Sequence, residues 1–217
     1  MATAIVEEYL EAIYKLQAEE KALGTTELGR ELKVSPASAS EMTDRLAAQG
    51  LVLRGRERGI TLTRKGKKVA LQLIRKHRIS ERFLADVLGM DWKDVHDEAC
   101  RLEHGISSEV ERRMEALLGN PGTCPHGNPI PDRDGHTAEE PVRPLSTLGK
   151  SQRAIVARIT EEHREFLEYL ATLGVMPGRE VLVEQVAPFV GPLLIQINGA
   201  SYALAREVAQ KIWVKEL

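Results

Sequence analysis

Two cysteines in 217 residues, Cys100 and Cys124, are too few for a disulfide framework, and in a reducing compartment each is free to serve as a thiolate ligand. No apolar run approaches the roughly twenty residues of a membrane span, and the N-terminus lacks a signal-peptide pattern, so a cytoplasmic protein without a membrane partner is expected. The His-Glu-x-x-His helix of zinc hydrolases is missing too. Net charge is nearly absent, at −2, and points to no partner by itself. A chain of this length makes one large domain or two or three small ones.

What is present is concentrated in one string, His96-Asp97-Glu98-Ala99-Cys100-Arg101-Leu102-Glu103-His104. At about 100° per residue, His96, Cys100, Glu103 and His104 fall within an arc of about 100° on a single helix. Imidazole, thiolate and carboxylate together suit a divalent first-row metal better than calcium or magnesium, which take oxygen alone. Val95, Ala99, Leu102, Ile106, Val110 and Leu117 recur at helical spacing beside them, with Asp91 as the expected N-cap. The metal stripe therefore sits at the edge of an apolar one. His77 and Glu81, four residues apart on an earlier helix, form a second pair of donors. Taken one at a time, these residues read as a solvated polar face; the two clusters together favour metal.

Charge is unevenly spread. From Arg45 to Arg78 eleven basic residues are opposed only by Glu57, which gives +10 and points to a polyanion. A helix over about residues 3–20, with Ile5, Tyr9, Ile13 and Leu16 apolar, leads to Gly24. Thr25 or Thr26 then caps a short helix carrying Leu28 and Leu32. Ser35-Pro36 opens the next, Pro36–Gln49, with Ser as N-cap and Pro at the first position. This is a helix-turn-helix rhythm, and the small and hydroxyl residues Ala37, Ser38, Ala39, Ser40 and Thr43 let the second helix approach a DNA groove. Residues 51–53 and 60–63 read as strands around Arg54, Arg56 and Arg58, the arginine-tipped wing of a winged helix. Ser35, Ser38, Ser40, Glu41 and Thr43 are expected near base edges or phosphates, and the three arginines at the backbone.

Between Gly119 and Gly149 six prolines among glycines and polar residues read as a linker, in which Cys124 and His126 are more simply structural than ligating. Residues 142–217 are β-rich, with strands at 155–159, 181–183, 193–197 and 212–214 and one helix over about 160–173, giving a small barrel. The fold expected is mainly α with small β parts.

These residues resemble the diphtheria-toxin-repressor family of iron- and manganese-dependent transcriptional regulators over nearly the whole chain. The resemblance rests on the winged helix, the string Val95 to His104, Arg75-Lys76-His77-Arg78 and Gly127-Asn128-Pro129-Ile130-Pro131. It implies a winged helix-turn-helix domain (1–73), a helical metal-binding and dimerisation domain (74–119), the linker (120–149) and an SH3-like, FeoA-like barrel (150–217). It also implies a homodimer that binds palindromic DNA when loaded with Fe(II) or Mn(II) and represses metal-uptake genes. Its first metal site would use Glu8, Cys100, Glu103 and His104; the second would use His77, Glu81 and His96, completed by Glu162, His163 or Glu165. Iron-responsive members typically have methionine where Glu8 stands; manganese-responsive ones have a carboxylate there and another one turn on, as Glu11 is here, but usually lack Cys100. Carboxylate hardens the site toward Mn(II) and thiolate softens it, leaving Mn(II) the first choice and Fe(II) the second. Zn(II), Co(II), Ni(II) and Cd(II) are expected to substitute in vitro. Two alternatives are a winged-helix regulator with structural Zn(II) and another signal, and a zinc metallohydrolase, against which the arginine wing weighs.

Overall fold

A computed structural model describes residues 3–17, 22–55, 59–137 and 140–217 and divides the chain into two units, Met1–Lys76 with Pro131–His136, and His77–Ile130 with Thr137–Leu217. The first unit begins with α1 (Ala4–Gln17), α2 (Thr25–Glu31) and α3 (Pro36–Ala48), followed by the hairpin β1 (Val52–Gly55) and β2 (Gly59–Leu62), which pairs Val52 with Leu62 and Gly55 with Gly59. Ser35 caps α3 as its sequence suggests, its Oγ accepting from Ser38 N at 3.0 Å, ahead of Pro36. The cap of α2 differs from expectation. Gly24 occupies that position and no side chain bonds to the helix end, because Thr25 is already its first residue. Leu10, Ile13, Leu28, Leu46 and Ile60 are buried together in the core of this unit. Gly59, at φ +63°, is where the hairpin meets the Leu23 backbone; a Cβ there would stand 2.2 Å from the Leu23 carbonyl oxygen.

Helix α4 (Arg64–Asp86) runs 23 residues, and its His77–Asp86 end belongs to the second unit. The expected single helix through Val95 and Leu117 is two, α5 (Val95–Leu102) and α6 (Ser108–Leu117). The sequence interrupts it chemically: Gly105 follows the end of α5, and Ser107 restarts the helix by accepting from Val110 N. Asp94 rather than Asp91 precedes α5. Of the apolar stripe only Val95 and Ala99 are buried within the chain; Leu102, Val110 and Leu117 are exposed.

The C-terminal part is a six-stranded antiparallel sheet in the order β3 (Arg143–Pro144), β8 (Ile212–Glu216), β4 (Arg153–Ile159), β5 (Glu180–Val186), β6 (Leu193–Ile197) and β7 (Ala200–Leu204). With α7 (Arg164–Leu173) and a second short helix, α8 (Arg206–Lys211), it encloses Val156, Leu167, Leu170, Val183, Ile195, Ile212 and Val214. The barrel expected from the sequence is an open sheet: its ladder does not close among the described residues, and β3 and β7 are its edges. β3, β7 and α8 had no strong apolar pattern to announce them.

Part of the segment read as a linker, residues 122–130, is held by hydrogen bonds. Thr123 bridges to Pro129, Cys124 N donates to the Asn128 carbonyl, and Arg82 and Arg78 reach the carbonyls of Thr123 and Pro129. A register shift in β4 between Val156 and Arg158 creates a bulge, and Gly127, at φ +84°, packs on it; a Cβ there would lie 2.0 Å from the Ala157 carbonyl oxygen. Ile159 N donates to the His126 carbonyl at 2.9 Å, and Asn128 Nδ2 donates to the Ile159 carbonyl at 2.8 Å. The loop is thus fastened along the end of β4.

Candidate functional site

Four pieces of the second unit converge: α4 brings His77 and Glu81, α5 brings His96 and Cys100, the fastened loop brings Cys124 and His126, and the turn after β4 brings Glu162. Their donor atoms form three overlapping groups, His77-His96-Cys100, His77-Glu81-His96-Glu162 and Glu81-Cys124-His126-Glu162. Helical spacing explains the first two pairs, because His77 and Glu81, like His96 and Cys100, are four residues apart and lie on one helix face. In the central group His77 Nε2 lies 3.0 Å from Glu81 Oε1 and 3.1 Å from His96 Nδ1, which is 3.3 Å from Glu162 Oε2. His126 Nδ1 is 3.3 Å from Glu81 Oε1 and 3.9 Å from Cys124 Sγ.

Two ring orientations are fixed from behind. His77 Nδ1 faces Glu103 Oε2 at 2.7 Å, and His126 Nε2 donates to the Trp92 carbonyl at 2.8 Å. A histidine held by its outer nitrogen presents the inner one as a lone pair, which is how imidazole ligands are oriented. The donors also fit a cation electrostatically. Glu81 is fully buried, and its Oε2 has no hydrogen-bond partner among the described residues, an expensive state for a carboxylate unless a cation completes it.

Without a cation, protons take its place. Burial alone would raise the Glu81 pKa, but the His77 charge and hydrogen bonds from His126, His77 and His96 hold it well below the usual range. Burial would lower the histidines. For His77 the Glu81 charge and hydrogen bonds to Cys100 and Glu103 outweigh it. Hydrogen bonds to Cys100, Glu162 and Glu81 push His96 up to about 11, and those to Cys124, Glu162 and Glu81 push His126 up to about 12. Yet His77 Nε2 and His96 Nδ1 are too close for a hydrogen on each, so one of the two is bare. The thiols diverge: hydrogen bonds to His77 and His96 overcome burial and bring Cys100 to about 7, whereas burial and the Glu81 charge raise Cys124.

The sequence expectations sort unevenly. Glu103 and His104 do not share a helix with His96, because α5 ends at Leu102; Glu103 is its C-cap and His104 lies in the following turn. Glu103 Oε1 lies 3.3 Å from His104 Nε2, while Cys100 Sγ turns to His96 Nε2 at 3.8 Å and His77 Nδ1 at 4.0 Å. Glu162 joins the cluster; His163 and Glu165 are exposed and enter none of the donor groups, and His163 faces Glu161. Cys124 and His126, which the sequence reads more simply as structural, lie in the third of these donor groups. Their spacing is short and their partners lie far away in the chain, but the adjoining Gly127 to Pro131 string marks a loop of fixed shape.

In the first unit, Glu8 opens onto a cleft of about 420 Å³ shared with Ser38, Glu41 and Arg45 of α3, and Glu11 pairs with Lys15 at 3.1 Å. Ser35, Ala37, Ser38 and Glu41 are exposed and Ser40 is half-buried, but Thr43 is buried, its hydroxyl donating to the Ala39 carbonyl at 2.6 Å, so it faces the core instead of a groove. Glu41 pairs with Arg45, and Arg54 is held by Asp44 and Ser40. Arg56 and Arg58 lie outside the described residues. Arg75 is buried against the Pro131 carbonyl and Arg78 is bonded to Pro129, so two of the eleven basic residues are structural.

The comparisons with known proteins match three successive parts of the chain. Residues 1–60 match "Iron dependent repressor, N-terminal DNA binding domain", residues 63–132 "Iron dependent repressor, metal binding and dimerisation domain", and residues 143–216 the FeoA domain. The iron-dependent repressor IdeR of Mycobacterium leprae is 33% identical, and the diphtheria toxin repressor of Corynebacterium glutamicum 34%, each over 97% of this chain and 96% of its own. A solved manganese-dependent transcriptional repressor in complex with manganese superposes with a TM-score of 0.90 at 37% identity, over 98% of this chain and all of its own. The structure of the manganese regulator SloR gives 0.84 at 29%, over 98% of each chain. These relatives are named as repressors or, for SloR, as a regulator, so the hydrolase alternative falls. The chain belongs to the diphtheria-toxin-repressor family of iron- and manganese-dependent repressors.

Proposed function

We propose that the chain is a metal-dependent transcriptional repressor that binds DNA through its winged helix when a divalent ion, Mn(II) or Fe(II), occupies its donor cluster. The observation that carries this reading is the buried, unpartnered Glu81 Oε2 among three imidazoles, a place built for a cation. When bound, the ion supplies positive charge and fixed coordination directions. The residues do the rest: His77, Glu81, His96 and Glu162 hold α4, α5 and the end of β4 together, while Cys124 and His126 add the loop. Cys100, Glu103 and His104 are the proposed donors of a further ion. That Glu8 and Glu11 join them rests on the family resemblance alone.

DNA contact is assigned to Ser35, Ala37, Ser38, Ser40 and Glu41 on α3 and to Arg54, with Arg56 and Arg58 at the wing. The uncovered Leu102, Val110 and Leu117 of α5 and α6 suit a self-complementary dimer contact, and a two-fold dimer reads a palindromic operator. Such a protein works in the cytoplasm, and no helix among the described residues is long and apolar enough to cross a membrane. Manganese and iron both stay in play, since carboxylate and thiolate donors coexist.

The test is DNA binding to the upstream regions of its own and neighbouring metal-transport genes, titrated with Mn(II), Zn(II) and, anaerobically, Fe(II), with Glu8→Met alongside. Binding that appears only with metal supports the reading, and a shift from Mn(II) toward Fe(II) in Glu8→Met places Glu8 among the donors. Equal binding by the chelated protein overturns it in favour of a structural metal and another signal.

A further inference from the structure

The hairpin between β5 and β6 is closed by Pro188-Phe189-Val190-Gly191, with Gly191 N donating to the Pro188 carbonyl and Ala187 N to the Pro192 carbonyl, each at 3.0 Å. Phe189 and Val190 both stand at positive φ, +55° and +59°, where a tight hairpin turn prefers Asn-Gly. They are also the most exposed large apolar side chains among the described residues, at 99% and 82%. We propose that this tip docks into the cleft between α1 and α3 of a second copy of the chain, a contact that competes with DNA.

The support of the tip is rigid. Left-handed backbone disfavours any side chain and a β-branched one such as Val190 most, yet the turn keeps both residues there. Proline on either side narrows the freedom of the backbone. Arg206 Nε donates to the Gly191 carbonyl at 3.0 Å and its Nη1 to the Ser146 carbonyl at 3.4 Å, bracing the turn against α8. A phenyl and an isopropyl group are thus held out in water on a strained turn, and strain of this kind gathers where a surface binds something.

The first unit of the same chain offers a hollow that suits them. Its cleft of about 420 Å³ is lined by Tyr9, Leu32 and Met42, with Ile5 and Val34 beside them at 55% and 38% exposure. Clefts that seat small organic molecules run from about 300 to 1,000 Å³, so two apolar side chains find room. The polar part of the cleft holds two carboxylates, Glu8 and Glu41, against one guanidinium, Arg45, while Arg206 brings positive charge to the base of the tip. A protruding patch and a hollow elsewhere on the same molecule make a head-to-tail contact between copies.

Area sets the strength of such a contact. A buried phenyl covers about 150–250 Å², far below the roughly 1,200 Å² of a stable interface, so the association is weak and reversible. Ser38, Glu41 and Arg45 of α3 also line the cleft, so a seated tip and a DNA duplex claim the same face. This last step rests on the DNA-binding reading above.

The test is sedimentation of the full-length, reduced chain over a concentration series, without metal and with Mn(II). The expected result is a mean mass that keeps growing past that of a dimer. Phe189→Asn combined with Val190→Gly, which installs the favoured turn, should raise Tm yet weaken the association about tenfold or more. Ile5→Ser, and Val34→Ser as a second cleft variant, should weaken it similarly with the circular dichroism spectrum unchanged. A mixture of tip and cleft variants should associate again, because one supplies the cleft and the other the tip. A native protein that stops at the dimer, variants that associate as the native chain does, or a mixture that fails to recover overturns the docking. Adding the upstream DNA used in the binding test should dissolve the association. Persistence on bound DNA overturns the competition and leaves the docking standing, whereas upstream DNA that is not bound at all overturns the repressor reading.

Discussion

His77 Nδ1 and Glu103 Oε2 lie 2.7 Å apart with both residues buried, so one carboxylate stands behind the histidine whose other nitrogen faces Glu81 and His96. The other oxygen of Glu103 lies 3.3 Å from His104. Glu103 therefore connects the donors after α5 with the cluster on α4, and filling either set alters the charge felt by the other. Glu103→Gln, which keeps the shape but drops the charge, should weaken metal binding at the His77 cluster by about 10–100-fold. Cys100→Ser should leave that cluster much closer to the native affinity. Competition with a chelator of known strength separates the two variants, and equal losses would show that Glu103 does not act through His77.

The protonated histidines give metal binding a defined pH dependence. With His126 pushed up to about 12, and His77 and His96 both raised but sharing one hydrogen between their facing nitrogens, His126 and one ring of that pair carry protons near neutrality that an ion must displace. Apparent metal affinity should therefore rise with pH, about tenfold per unit for each proton released. The metal-free fold should move the other way. A histidine whose pKa is raised by folding stabilises fully below its unfolded value, about 6.5, and loses that contribution as pH climbs to the folded value. Between pH 6.5 and 9 the metal-free Tm should fall while the increase in Tm on adding Mn(II) grows. Calorimetry in buffers of different ionisation enthalpy counts the protons, and release of none would contradict the cluster as the binding place.

Gly127 is the point at which the loop carrying Cys124 and His126 meets the bulge of β4. Gly127→Ala would ask a side chain to adopt φ +84° and to fit 2.0 Å from the Ala157 carbonyl oxygen. The backbone strain costs about 1–3 kcal/mol before the clash is relieved. The loop should lift, with thermal stability reduced and the Cys124 and His126 donors lost. Their absence is visible as loss of thiolate-to-Co(II) absorption in a Cys100→Ser background. Unchanged absorption would mean that the loop holds its place by other contacts.

Much of this was legible in the sequence wherever local chemistry decides. The Ser35 cap followed by Pro36, the two short strands around the arginines, and the four-residue spacings of His77 with Glu81 and His96 with Cys100 each carry their geometry within one turn. The reading failed where distant partners decide. Nothing local says that the Arg75 guanidinium goes to Pro131, whereas the one-turn bond of Thr43 to Ala39 and the break of the α5 stripe at Gly105 are local signals that the reading passed over. Cys124 and His126 looked like loop residues because what sets them beside other donors, a bulge in β4 and the carboxylates of Glu81 and Glu162, lies about thirty residues or more away on either side.

Arg54 tests the DNA-binding face in a way that separates phosphate contact from folding. It is exposed and paired with Asp44 and Ser40, and pairs of that kind contribute little to stability, so the guanidinium can exchange Asp44 for a phosphate at small cost. Arg54→Ala should leave Tm nearly unchanged, weaken binding to specific and unrelated DNA by similar factors, and reduce the slope of log affinity against log salt by about one. Thr43→Ala should behave oppositely, because it removes a buried hydroxyl that already has its partner. Its Tm falls, while the salt slope of the folded fraction stays at the native value. An unchanged salt slope in Arg54→Ala would assign the phosphate contact to the remaining arginines of the wing.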